Sequence, residues 1–161
     1  MIIFGIDPGT ATTGYGVIHH EGANSKLLDF GVIITKPKQP LEIRLEQIHD
    51  ELAALFEEYH PDEVAVEELF FSNNAKTAIA VGQARGVILL TARKAGLSIS
   101  EYTPMQVKNA ICGYGGADKK QVQKMVQMLL KIPEIPQPDD AADALAIAIC
   151  HASSRKFNNI K

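Results

Sequence analysis

Four carboxylates stand out by the company they keep. Asp7 closes the apolar run of residues 2–7, IIFGID, and opens the turn Pro8-Gly9-Thr10. Glu67 follows Val64-Ala65-Val66, with Glu68 beside it. Asp140 and Asp143 lie in Asp139-Asp140-Ala141-Ala142-Asp143-Ala144-Leu145, three residues apart and so on one helix face, and Asp139 and Asp143, four apart, are neighbours as well. An ionised group among apolar residues is costly unless something pairs with it. Each has a plainer reading too. Asp-Pro-Gly forms turns, and a Gly/Thr-rich turn after a strand can also cradle a phosphate through backbone N–H groups. A glutamate at a strand end is commonly structural. Aspartates in a first helical turn cap it and complement its dipole. That last reading suits Asp139 well, Asp140 less and Asp143 least, because Asp143 leads directly into Ala144-Leu145-Ala146-Ile147-Ala148-Ile149.

Carboxylates crowded at the mouth of an apolar helix repel one another without a cation. Four of them on three elements, with no cysteine or histidine cluster, suit Mg2+ or Mn2+ rather than zinc. Carboxylates that hold two such ions are the apparatus of phosphoryl transfer to water. One ion lowers the pKa of the attacking water, and the other stabilises the leaving 3′ oxygen.

Such chemistry needs a polyanionic substrate, and the overall charge of −3 argues against one. The sum hides an asymmetry. Residues 1–71 carry 4 basic and 13 acidic groups, residues 72–131 carry 9 and 2, and residues 132–161 carry 3 and 4. The basic middle segment is the expected phosphate-binding part, and the acidic helix of residues 40–60 is expected to face solvent away from it.

The elements that must position these groups can be read from pattern. Residues 2–7, 13–20 and 27–35 have strand composition, the last two separated by the polar turn EGANS; they read as three sequential antiparallel strands. Pro40 opens a helix whose stripe is Leu41, Leu45, Ile48, Leu52, Leu55 and Tyr59, with Glu42, Glu46, Asp50, Glu51, Glu57 and Glu58 opposite. A strand at 62–67, a helix at 74–95 containing Gly82 and Gly86, and a strand at 97–102 follow. Thr103-Pro104-Met105-Gln106 is a capping box with proline at the first helical position. After the loop 113–116, a helix from near Asp118 sets Val122, Met125, Val126 and Leu129 on one face, and a last helix runs from about Pro138 to Ser154. The whole is a mixed α/β domain, with no linker that would divide residues 1–161.

Composition excludes other classes. Apolar residues at 46% and charged residues at 22% are globular values. Cys112 and Cys150 lie apart in hydrophobic stretches and read as reduced, packed thiols. No stretch has the length of a membrane span, and the start lacks the marks of a signal peptide, so a cytoplasmic protein is expected. The five histidines need no special role, and His151 reads as structural.

At this point the sequence resembles a known family. GIDPGTATTGYGVI, AVEELFF, GQARGVILL, MQVKNAICGYGGADKKQVQKMV and DDAADALAIAI occur in the order found in RuvC-type Holliday-junction resolvases, over essentially the whole chain. The resemblance implies a ribonuclease H-like fold: a five-stranded mixed sheet, its first three strands antiparallel, flanked by helices on both faces. It implies a homodimer that binds four-way junction DNA and makes paired nicks, leaving 5′-phosphate and 3′-hydroxyl ends. It places the metal-binding, catalytic carboxylates on Asp7, Glu67, Asp140 and Asp143, and two Mg2+ (or Mn2+) ions per site. Asp139 is then left as a cap, and Glu67 is preferred to Glu68.

The family's base-stacking phenylalanine falls on Phe70, with Phe71 adjacent; the plain alternative is that one of them packs in the core. Lys108 and Lys119 match lysines beside the scissile phosphate. Lys119 stands just inside a helix start, where N–H groups also favour an anion; Lys120 and Lys124 are as readily ordinary solvated charges. Arg85 is expected to touch DNA or the second subunit, while Gly82 and Gly86 could equally allow close helix packing. The RuvA–RuvB branch-migration complex is the expected partner.

Three other readings remain. A YqgF-type ribonuclease H-like nuclease acting on RNA shares Asp-Pro-Gly and a late aspartate, but the Phe70-Phe71 pair, GQARG and the DxxD pair favour the resolvase. An actin or sugar-kinase-type nucleotide-binding module would need a second lobe. A junction-binding protein without catalysis is at odds with four intact ligand positions.

Overall fold

The computed structural model describes residues 1–68 and 75–158. A single sheet has the strand order β3-β2-β1-β4-β5. The strands are β1 (Ile2–Asp7), β2 (Thr12–Glu21), β3 (Asn24–Ile34), β4 (Glu63–Glu67) and β5 (Ser98–Tyr102). β1 pairs antiparallel with β2, and β2 antiparallel with β3; β4 runs parallel to both β1 and β5. This is the expected mixed sheet with its first three strands antiparallel.

The central strand β1 is apolar throughout because it is covered on both sides. Phe4 and Ile6 point into one layer with Ile48, Leu52 and Phe56 of α1 (Leu41–Tyr59) and Ala84, Ile88 and Ala92 of α2 (Ala75–Lys94). Ile3 points into the other layer, with α3 (Pro104–Cys112), α4 (Lys119–Leu130) and α5 (Asp139–Asn158). The exposed side of α1 carries Glu42, Glu46, Asp50, Glu51, Glu57 and Glu58, as its periodicity requires. α3 starts on the predicted capping box of Thr103 and Gln106, and α4 on a second one, formed by Asp118 and Gln121.

Several boundaries differ from the sequence reading. The turn between β2 and β3 contracts from EGANS to Gly22-Ala23, because Gly22 adopts φ +60° and lets the ladder run on to Glu21 and Asn24. Pro40 caps α1 from just outside rather than starting it. The buried stripe of α4 is Val122, Gln123, Val126 and Leu130, and Leu129 is exposed. α5 continues to Asn158, one turn past Ser154. Gly86 faces open space, so it serves no close packing.

One close approach decides where the last helix lies. A Cβ on Gly5 of β1 would stand 2.1 Å from the Ala144 carbonyl oxygen, and one on Gly14 of β2 would stand 2.0 Å from that of Asp140. Two bare backbone positions therefore let α5 rest directly on the sheet, with Ala141, Ala144 and Ala148 fully buried.

Candidate active site

Because β1 and β4 are parallel neighbours in register from Ile3↔Glu63 to Ile6↔Val66, Asp7 and Glu67 end side by side at the same edge of the sheet. Side chains alternate along a strand. Ile3 and Ala65 face the α5 layer, so Asp7 and Glu67 face it too. Gly14, the antiparallel partner of Asp7, receives the first turn of α5 against its bare backbone. That contact brings Asp140 and Asp143 to the same end. Four carboxylates far apart in sequence are thus gathered by one register and one helix crossing.

Their electrostatics follow from burial and mutual repulsion. Burial, then the charges of Glu67, Asp143 and Asp140, push the Asp7 carboxyl up to about 8. Burial and Asp143 push Glu67 up to about 7, against the pull of Lys108. Burial also raises Asp143, opposed by Lys119. A cleft of about 250 Å³ opens here, lined by Glu67, Pro104, Lys108, Lys119, Val122 and Asp143. A larger cavity, of about 540 Å³ between the ends of α1 and α2, has His49, His60 and Lys94 in its wall but no such gathering of carboxylates.

Lys119 reaches into the cluster from the first turn of α4. Its ammonium lies 3.2 Å from Asp143 Oδ2 and 3.3 Å from Asp139 Oδ2. Burial works against that charge, but Asp143 and Asp139 hold the Lys119 pKa above its usual value. Lys108 stands half-buried on the cleft wall, whereas Lys120 points to solvent.

Two sequence expectations are revised, and Arg85 is found with partners of its own. Asp139 is not a cap: its Oδ1 accepts from the amide of Gln123, 2.8 Å away, and its Oδ2 faces Lys119. The anion-favouring start of α4 is already occupied by the Asp118 carboxylate, which accepts from Gln121 N–H. Arg85 is held within its own chain, donating Nε–H to the Glu67 carbonyl at 3.3 Å and pairing with Glu101. Phe70 and Phe71 lie outside the described residues. Sequence reasoning missed Gln123, whose signal was a glutamine one turn after Lys119 on the buried side of α4. His151 is structural as expected, buried between Glu63 and Tyr102.

All-oxygen donors, half-buried and mutually repelling, with an ammonium already drawn among them, fit a hard divalent cation in charge and chemistry. Among the described residues, no three acidic, histidine or cysteine side chains converge on one point.

A mixed sheet in this order, with carboxylates at the ends of β1 and β4 and at the head of α5, defines a ribonuclease H-like protein. Solved structures agree at the level of fold. The yeast mitochondrial Holliday junction resolvase superimposes with a TM-score of 0.68 at 14% identity, over 98% of this chain and 82% of its own. Closer kinship is specific. The family model for crossover junction endodeoxyribonuclease RuvC matches residues 3–151. The RuvC of Syntrophomonas wolfei is 55% identical over 99% of this chain and 92% of its own, and that of Brevibacillus brevis 53% over 99% and 96%. Thermus thermophilus RuvC, solved in complex with a Holliday junction substrate, has a TM-score of 0.94 at 40% identity, covering 98% and 96%. The chain belongs to the RuvC family of crossover junction endodeoxyribonucleases.

Proposed function

We propose that this chain resolves four-way DNA junctions by metal-dependent hydrolysis of phosphodiester bonds, residues 1–161 acting as one nuclease domain. The observation that carries the reading is the meeting of Asp7, Glu67, Asp140 and Asp143 at one end of the sheet, beside Lys108 and Lys119. It is supported by the 40% identity to a RuvC solved on a Holliday junction.

The family's nucleases are metal-dependent, and Asp7, Glu67, Asp140 and Asp143 would hold two Mg2+ ions (or Mn2+). Bound there, the ions supply an activated water and neutralise charge at the leaving 3′ oxygen. The chain's own part is to fix the carboxylates in a half-buried cleft and to offer cations to the phosphate. Lys108 and Lys119 bracket the cleft and attract the scissile phosphate, and Lys120 adds a solvent-facing charge beside it. Phe70 and Phe71, directly after β4, are assigned to stacking on bases at the junction centre. Arg85, by holding the Glu67 carbonyl, keeps β4's end in place, and its assignment to DNA is secondary to that. Two copies nick two strands of like polarity, leaving 5′-phosphate and 3′-hydroxyl ends, and the RuvA–RuvB complex is the assigned partner.

Asp7→Asn is expected to abolish divalent-dependent cleavage of a synthetic four-way junction while the junction Kd stays within about twofold, because one neutral amide keeps the fold but loses a ligand charge. Cleavage by this variant at the normal rate would overturn the assignment.

A further inference from the structure

Two helices meet at the cleft as a ladder with two rungs. α4 presents Lys119 and Gln123, four residues apart, and α5 presents Asp139 and Asp143, also four apart. Such pairs share a helix face. Lys119 bridges both aspartates, at 3.3 Å and 3.2 Å, while Gln123 donates to the other oxygen of Asp139 at 2.8 Å. Gln123 is only 7% exposed, so its amide is fixed by packing and turns the Asp139 carboxylate until Oδ2 faces the lysine.

We infer that Asp139, oriented by Gln123, is a positioning residue that tethers Lys119 at the edge of the metal site for its work on the scissile phosphate. The inference rests on the proposed roles of Lys119 and Asp143. A divalent ion on Asp143 would take that carboxylate's charge and repel a neighbouring ammonium. Asp139 is then the one described partner left to the lysine, whose side chain is 51% exposed and otherwise free to swing into solvent. With Asp139 and Gln123 in place, the ammonium stays within reach of the cleft. The carboxylate therefore serves catalysis without touching the substrate.

The test compares wild type, Lys119→Met, Asp139→Asn, Gln123→Met and the double variant Asp139→Asn/Lys119→Met. Single-turnover cleavage of a synthetic junction in Mg2+ is expected to slow roughly tenfold in Asp139→Asn, as for a displaced positioning group, and by about threefold in Gln123→Met. Junction Kd, measured without divalent cation, should stay within about twofold in Asp139→Asn, since that residue is assigned no phosphate. The double variant should be no slower than Lys119→Met alone, because two residues acting through one ammonium are not additive. With Mg2+ but without DNA, reductive methylation of Lys119, followed by mass spectrometry, should be about threefold faster in Asp139→Asn, its remaining tether being lost. A purely structural role would not produce the non-additivity or the lysine-specific labelling. If Lys119→Met cleaves normally, the role of Lys119 fails and the inference with it. If Lys119→Met is slow but Asp139→Asn is not, or the two defects multiply, or the labelling is unchanged, the tether alone is overturned.

Discussion

At the scale of single residues, the carboxylate cluster is a place where stability has been given up. The Asp7 carboxyl is ordinary in the unfolded chain, near 3.8, and rises to about 8 when folded, through burial first and its acidic neighbours second. A folded state that holds its proton more tightly is most favoured below the unfolded value. That contribution is lost as the pH rises from about 4 to about 8, and Glu67, raised to about 7, adds to the same loss. The metal-free protein should therefore melt at a lower temperature at pH 8 than at pH 5, and added Mg2+ should restore part of the difference. Asp7→Asn should melt at least about 4 °C above wild type at pH 8 without metal, given some 2–4 °C per kcal/mol for a domain of this size. The same variant should lose most of its Mg2+-induced shift. Thermal melting at the two pH values checks both signs. Asp7, Glu67 and Asp143 were conspicuous in the sequence because each borders an apolar run, whereas only the family resemblance chose Asp140 over Asp139 and Glu67 over Glu68. The partner of Asp139 was not, because an aspartate in a first helical turn looks like a cap. Only the packing of α4 against α5 shows that its oxygens go to Gln123 and Lys119 instead.

At the scale of elements, position comes from backbone contact. The strands and helices were readable from period and capping, as Thr103 and Gln106 illustrate. The hairpin between β2 and β3 was not, because EGANS reads as one turn and hides the two residues that make it, and a ladder can run on through polar pairs such as Glu21↔Asn24. The rotation of α4 was missed for a related reason: Leu129 and Leu130 are equally apolar, and tertiary packing chooses between them. The resting of α5 on Gly5 and Gly14 leads to two distinct outcomes. Gly5→Ala pushes on the middle of α5 and should cost about 1–3 kcal/mol as overpacking, seen as a lower melting temperature. Gly14→Ala pushes on the turn that carries Asp140 and should slow single-turnover cleavage by at least about tenfold, because small misplacements of reacting groups are costly. The comparison is made by measuring melting and cleavage on both variants.

At the scale of the molecule, charge is sorted by the sheet. The acidic residues of α1 lie exposed on the layer of α1 and α2, while Lys108, Lys119, Lys120 and Lys124 belong to α3 and α4 on the opposite layer. The basic segment 72–131 does not form one face, as its sequence suggested. α2 carries Arg85 and Lys94 into the α1 layer, and Arg85 is already paired with Glu101. A binding surface on α3 and α4 needs only local positive charge, since exposed charges beyond a Debye length of about 8 Å at physiological salt are largely screened. Glu46→Gln together with Glu58→Gln should therefore leave the junction Kd within about twofold at 0.15 M salt, whereas Lys108→Ala should weaken binding and make the salt dependence shallower by about one unit. Titrations of one fluorescent junction at several salt concentrations separate the two.

The contact between Gly14 and the carbonyl of Asp140 also sets terms for how such a chain can drift over generations. Any side chain at that position must lift α5, and α5 cannot lift without carrying two carboxylates away from Asp7. A lineage that lost this glycine would have to re-seat the helix and rebuild the cluster in the same step. The sheet and the helix are thus bound to change together, and the route between two working versions passes through a slower one.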